Sequence, residues 1–358
     1  MDSTSSPVRP GRLGAPGMTL RDDPRADPRM IAAMEPFGLA DRAAPAPVDA
    51  ESTLEDLLEY VTAAEEGFEG LFGALVGALP EVAGVERSVE VIKGLDGNDV
   101  TLYLHRPAGR SGQLPGVLHI HGGGMVLLEA AGVAYRRWRD QLAAAGLVVV
   151  GVEFRNAGGK HGPHPFPAGL DDCAAALRWV VDHEDELGIS RLIVSGESGG
   201  GNLTLATVLR AKRDGLLEHV DGAYAMCPYI SGAWAAPPSE LTSLFENDGY
   251  FLDVPMMGAL ARVYDPAREH ATDPLAWPLH AAPADLAGLP PHVISVNQLD
   301  PLRDEGLAYA RKLLDAGVAV VSRTVNGTCH AGDVIFGGAM PDVTAATIRD
   351  IKGFADSL

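Results

Sequence analysis

From about residue 86 onward the chain alternates short apolar runs with stretches of helical spacing, and no other feature limits its fold as strongly. Val117–Ile120, Leu147–Phe154, Leu192–Ser195, Ala223–Met226, Val293–Val296 and Val318–Val325 read as strands. Ala131–Ala145, Leu170–Glu186, Leu203–Lys212, Leu307–Leu314 and Ala345–Ala355 carry the helical period. Ahead of them, Ser88–Ile92 and Val100–His105 read as a hairpin turning at Asp96-Gly97. Strands separated by helices are joined by crossovers, which gives a mainly parallel sheet covered on both faces. The expected class is α/β.

Two stretches fall outside this rhythm. Residues 1 to about 50 are rich in Pro, Ala, Arg and Asp and read as an extended arm with one short helix, Pro28–Glu35. A longer helix follows. Ser52 and Glu55 form a capping-box pattern, and Leu54, Leu57, Leu58 and Val61 begin a stripe that Phe68, Leu71, Phe72, Leu75 and Leu79 continue to Pro80. Such a stripe serves either as core packing or as a mobile lid over an apolar pocket. The second break, Ser231–Leu289, holds many prolines and aromatics and reads as an insertion between core strands. The expected divisions are residues 1–85, 86–230, 231–289 and 290–358.

At 358 residues the chain can form one large α/β domain with additions, or two average ones. Its net charge of −20 argues against nucleic acid or an anionic membrane surface as partner. The acidity suits neutral or weakly cationic small molecules, and serves solubility equally well. Cys173, Cys227 and Cys329 are too scattered for a disulfide framework or a zinc site. Met1 to Gly11 is polar, without an apolar signal core, and no apolar run approaches the length of a membrane span. A soluble, cytoplasmic protein is expected; its oligomeric state is not readable.

Gly196-Glu197-Ser198-Gly199-Gly200 lies between the run Leu192-Ile193-Val194 and the helical stretch from Asn202. This G-x-S-x-G in a strand–turn–helix setting fits a nucleophile elbow, whose glycines leave room for a strained, projecting serine. A serine nucleophile needs a base, and the base an orienting acid, and in open α/β sheets such groups follow strand ends. His330 follows Val318–Val325 and Asp300 follows Val293–Val296, with Asp304 a competitor one turn into the next helix. His121-Gly122-Gly123-Gly124 follows Val117–Ile120 and brings backbone amides without side-chain obstruction. The amides of Gly123, Gly124 and Gly199 are the expected oxyanion hole. No lysine completes a phosphate loop, and no acid or thiol near His119, His121, His161 or His164 completes a metal site, so neither cofactor nor metal is expected. Met125, Trp234 and Phe251 are candidates for the pocket wall.

Together these segments resemble the bacterial hormone-sensitive-lipase family of esterases, as do Asp300-Pro301-Leu302-Arg303-Asp304-Glu305 and His164-Pro165-Phe166-Pro167-Ala168-Gly169-Leu170-Asp171-Asp172. The resemblance covers about residues 86 to 358. Phe154-Arg155-Asn156-Ala157 and Asp22-Asp23-Pro24-Arg25 look similar to a family member that opens a macrolactone. The resemblance implies an α/β-hydrolase fold, with a helical cap built from residues 1–85 and 231–289 over a core of 86–230 and 290–358. It implies a serine carboxylesterase working through an acyl-enzyme on a small-molecule ester, short to medium and apolar, or a lactone. An amidase or peptidase using the same triad, and a non-catalytic small-molecule receptor, stay open. The family usually places Asp and Ala where this chain has Glu197 and Gly199.

Overall fold

In the computed structural model, which describes residues 9–358, eight strands form one sheet in the order β1-β2-β4-β3-β5-β6-β7-β8. They are β1 Val85–Lys93, β2 Asp99–Pro107, β3 Leu114–Ile120, β4 Val148–Glu153, β5 Ile189–Glu197, β6 Gly222–Met226, β7 His292–Asn297 and β8 Val320–Val325. The hairpin β1–β2 and the β2–β4 pair are antiparallel; the five pairs from β4 to β8 are parallel. The expectation of a mainly parallel α/β sheet therefore stands. The polar Met1–Gly11 segment lies, up to residue 8, outside the described residues.

Alternation along each strand splits the interior in two. Val117, Val149, Ile193, Tyr224 and Val293 face one core with Trp138, Leu142 and Ile351 of the helices Val133–Ala144 and Pro341–Ser357. Leu118, Val150, Val194, Ala225 and Ile294 face the other, with Leu170, Leu203 and Tyr309 of Ala168–Asp182, Gly199–Asp214 and Arg303–Asp315. Strands buried on both faces have to be apolar at nearly every position, hence the unbroken apolar runs. After β3 the chain places β4 on one side and β5 on the other. A crevice opens at the carboxyl ends of β3 and β5, where ligands of open α/β sheets are bound.

The stripe before β1 forms one helix, Leu54–Val76, continuous through its three glycines. Its N-cap is Thr53, which accepts the Asp56 N–H, and not the expected Ser52; Ser52 instead accepts the N–H of Asp49 in the preceding turn. Leu57, Val61, Leu71 and Phe72 are buried on its inner face. The 231–289 stretch contains a helix that the aromatic-rich sequence hid, Val254–Tyr264, capped by Asp253 through the Met256 N–H at 2.9 Å. The arm is tied to distant parts of the chain. Arg25 bridges Asp23 and Glu246, Glu246 also holds Arg303 at 3.0 Å, and Arg29 reaches Asp342 at 2.6 Å.

Glu65 joins the long helix to the sheet. It is 1% exposed and accepts the amide N–H groups of Leu128 at 2.7 Å and Lys160 at 2.9 Å. Removing this carboxylate leaves both amides without a partner, and each buried unsatisfied group costs about 1–3 kcal/mol. Glu65→Ala should therefore lower unfolding free energy by about 2–4 kcal/mol in urea titration followed by circular dichroism. A variant as stable as the parent would show that the clamp carries no weight.

Candidate active site

The elbow owes its shape to the backbone of the neighbouring strand. Ser198 has φ 58° and ψ −119°, a conformation that costs a non-glycine residue strain energy. Three backbone bonds hold it there. Its N–H donates to Met226 O at 2.9 Å, and its carbonyl accepts the N–H groups of Asn202 and Tyr229 at 3.0 and 3.2 Å. A Cβ at Gly196 would stand 2.3 Å from the Ile120 carbonyl oxygen, and one at Gly200 only 2.1 Å from it. What excludes side chains at these two positions is the last peptide of β3.

The acid and base approach from later strands. The His330 ring Nδ1 lies 2.8 Å from Asp300 Oδ2, with His330 4% exposed and Asp300 fully buried. The other Asp300 oxygen accepts the Leu302 N–H at 2.9 Å, and Asn247 Nδ2 donates to the Asp300 carbonyl at 3.0 Å. Asp304 faces elsewhere: it accepts from Thr242 Oγ1 and the Ser243 N–H, both at 2.8 Å, and so braces the segment after β6. Of the two acids, only Asp300 meets His330.

The glycine loop after β3 lies against the elbow. Gly123 and Gly124 have φ of 106° and 63°, and a Cβ at Gly199 would be 2.6 Å from the nitrogens of both Gly124 and Met125. The Gly123 carbonyl accepts the N–H groups of Val126 and Leu127 at 3.0 and 3.1 Å, closing the loop. His121 donates from Nδ1 to the Gly122 carbonyl at 2.7 Å and stacks on Phe154 at 4.3 Å. Burial lowers its pKa to about 3, so the ring is neutral. Glu197, next to the serine, accepts the Gly122 N–H at 2.7 Å.

Ser198, His330 and Gly122–Gly124 line a single cavity enclosing about 760 Å³, its mouth included. Its remaining walls are mostly apolar: Phe68 and Phe72 from the Leu54–Val76 helix, Met256, Met257 and Leu260 from Val254–Tyr264, and Phe251. Of the three wall candidates, only Phe251 faces this space. Met125 is buried at 1% exposure behind the loop, and Trp234 is stacked at 3.8 Å on the far side of Tyr229. The sequence offered a signal for Phe68 and Phe72 in the helical stripe, and for the methionines in the N-terminal cap pattern Asp253-Val254-Pro255. Among the described residues, Cys227, Asp300 and His330 present ligand atoms within 4.8 Å of one another. Asp300 and His330 are already engaged with each other, and burial holds the Cys227 thiol protonated by pushing its pKa up. No helix of the described residues is long and apolar enough to cross a membrane.

A family model described as the alpha/beta hydrolase fold matches residues 117–333. Brefeldin A esterase, described as a bacterial homologue of human hormone-sensitive lipase, is 50% identical, with a TM-score of 0.95 over 97% of this chain and 98% of its own. The esterase Est22 is 39% identical, with a TM-score of 0.84 over 94% of this chain and 99% of its own. Carboxylesterase NlhH of Mycobacterium tuberculosis is 35% identical over 288 residues, 78% of this chain and 84% of its own. The sheet order, the elbow and these relatives agree: this chain belongs to the α/β-hydrolase family, among the bacterial esterases homologous to hormone-sensitive lipase.

Proposed function

We propose that this chain is a carboxylesterase in which Ser198 is the nucleophile, His330 the general base and Asp300 the acid that orients it. The observation that carries this reading is the His330–Asp300 bond of 2.8 Å beside an apolar cavity that Ser198 and the glycine loop also line. Asp300 at Nδ1 fixes the imidazole tautomer that leaves Nε2 free to take the serine proton. The serine oxygen attacks the ester carbonyl, and the negative charge developing on the carbonyl oxygen is received by the amides of Gly123, Gly124 and Gly199. Each such donor contributes about 2.7–4 kcal/mol to the transition state. His330 then passes its proton to the departing alcohol, leaving an acyl-enzyme that a water molecule, activated by the same imidazole, hydrolyses.

The walls support short-to-medium apolar substrates, because aliphatic and aromatic side chains surround the serine and, among the described residues, no lysine or arginine lines the cavity. A lactone suits the same steps, its alcohol remaining attached to the acyl group after ring opening. In this reading residues 1–85 and 231–289 form the cap, and residues 86–230 and 290–358 the core.

With p-nitrophenyl butyrate as substrate, mixing at high enzyme concentration should release a burst of p-nitrophenol matching the enzyme present. Ser198→Ala should abolish the burst and lower kcat at least about 10³-fold. A Ser198→Ala protein hydrolysing at the parental rate would sink the assignment, and parallel p-nitroanilides separate ester from amide preference. The wall makes a second claim. Leu260 Cδ1 stands 3.1 Å from where a Cβ of Gly124 would be, so truncating it enlarges the cavity beside the loop. Leu260→Ala should raise the hexanoate-to-butyrate ratio of kcat/KM by about tenfold, within the range one or two methylenes command in an apolar pocket. An unchanged ratio would remove Leu260 from chain-length selection.

A further inference from the structure

Glu197 is the last residue of β5 and the immediate neighbour of Ser198, yet the reaction scheme above gives it no task. It is 3% exposed and turns its carboxyl toward the β3 side of the crevice. Oε1 accepts the Gly122 N–H at 2.7 Å. Among the described residues, Oε2 has no geometric hydrogen-bond partner and faces His119 Nε2, likewise unpartnered, at 3.6 Å. His119 is fully buried within β3, two residues ahead of the glycine loop. Two buried polar atoms that face each other favour a donor against an acceptor, because each left unsatisfied costs free energy, and the Tyr135 hydroxyl acts on the same carboxyl.

We propose that Glu197 is the positioning residue of the oxyanion amides, bridging from the end of β5 to Gly122 on one side and His119 on the other. This deepens the serine-esterase reading and rests on it. The Gly122 peptide is the hinge between His121 and the amides of Gly123 and Gly124. Its N–H, in the peptide plane that begins at His121, is held by Glu197, and its carbonyl, in the plane that carries the Gly123 N–H, is held by His121 Nδ1 at 2.7 Å, so the planes on both sides of Gly122 are fixed.

The protonation follows from the partners. Gly122 brings a donor, so Oε1 is an acceptor, and any proton on the acid resides on Oε2, facing His119. Burial pushes the Glu197 carboxyl up to about 8, against the opposing effect of the Gly122 N–H, and burial holds His119 neutral. At neutral pH the carboxyl then presents a hydroxyl at Oε2 to a bare imidazole nitrogen 3.6 Å away, a donor facing an acceptor. The other titratable groups acting on this carboxyl are Tyr135 and Arg139 from the Val133–Ala144 helix, Cys227 after β6, and His330. Tyr135 and Cys227 stay neutral through burial. Ionising Glu197 removes the donor to His119 and places a negative charge beside the oxygen that must itself become negative. Activity is therefore favoured below the Glu197 pKa and falls as pH rises through about 8.

The test uses Glu197→Gln, Glu197→Ala and Ser198→Ala in the full chain with p-nitrophenyl butyrate. Glutamine keeps an oxygen for Gly122 and a donor for His119, and it cannot ionise. Glu197→Gln should keep kcat within about threefold of the parent at pH 7 and stay flat above pH 8, where the parent declines. Glu197→Ala should lose about 10–100-fold in kcat with KM changed less than about threefold, part of the 10²–10³ that losing a hole donor costs. Should the alanine protein fail to fold by near-ultraviolet circular dichroism, His119→Leu, which removes the other end of the bridge, should show the same kcat-selective loss. Parental kcat in Glu197→Ala, a Glu197→Gln as impaired as the alanine variant, or an unchanged alkaline decline in Glu197→Gln would overturn the proposal. Ser198→Ala separates the two levels: if it is active, the serine reading fails, and if it is inactive while Glu197→Ala is fully active, only the bridge fails.

Discussion

The contact between the Ile120 carbonyl and the elbow is the constraint on which the rest of the site depends. Gly196 and Gly200 let the turn after β5 lie against the last peptide of β3, with no room for a methyl group at either position. That closeness follows from topology, since β3 and β5 are neighbours with β4 turned to the other side. It brings the glycine loop and the strained serine together from segments far apart in sequence. The loop, in turn, is seated by groups that do no chemistry: His121 on Phe154, Glu65 at Leu128 and Glu197 at Gly122.

The sheet was largely legible in the sequence because strands buried on both faces must be apolar at almost every position. The runs ending at Ile120, Phe154 and Val296 correspond to β3, β4 and β7 within a few residues. Glycines were legible for a related reason, as backbone contact allows nothing larger. The pocket was less so. Met125 and Trp234 were reasonable choices by residue type, but a large apolar side chain signals burial without saying which side of a wall it occupies. Trp234 backs Tyr229, and Tyr229 faces the cavity. Side-chain partners such as Glu197 with His119 depend on strand register, which no local pattern carries.

The apolar stripe ahead of β1 makes two kinds of contact. Leu57 and Val61 of the Leu54–Val76 helix are buried in the main core, while Phe68 and Phe72 line the cavity, and Glu65 between them binds backbone of the hydrolase core. A helix anchored in this way both packs on the core and contributes its aromatic face to the cavity wall. The methionines opposite, on Val254–Tyr264, are the adaptable part of the lining, being unbranched and polarisable.

The ion pairs of the arm also bear on how the molecule is made. Arg25 and Glu246 are 221 residues apart, and Arg29 and Asp342 are 313 apart. Phe68 meets Phe251 across a similarly long stretch of chain, and Phe251 in turn meets Phe336. The roof of the cavity is seated late. Until then its apolar stripe is exposed to solvent, and contacts of such long sequence separation form slowly. A partly folded form that still exposes such a stripe is the form prone to self-association.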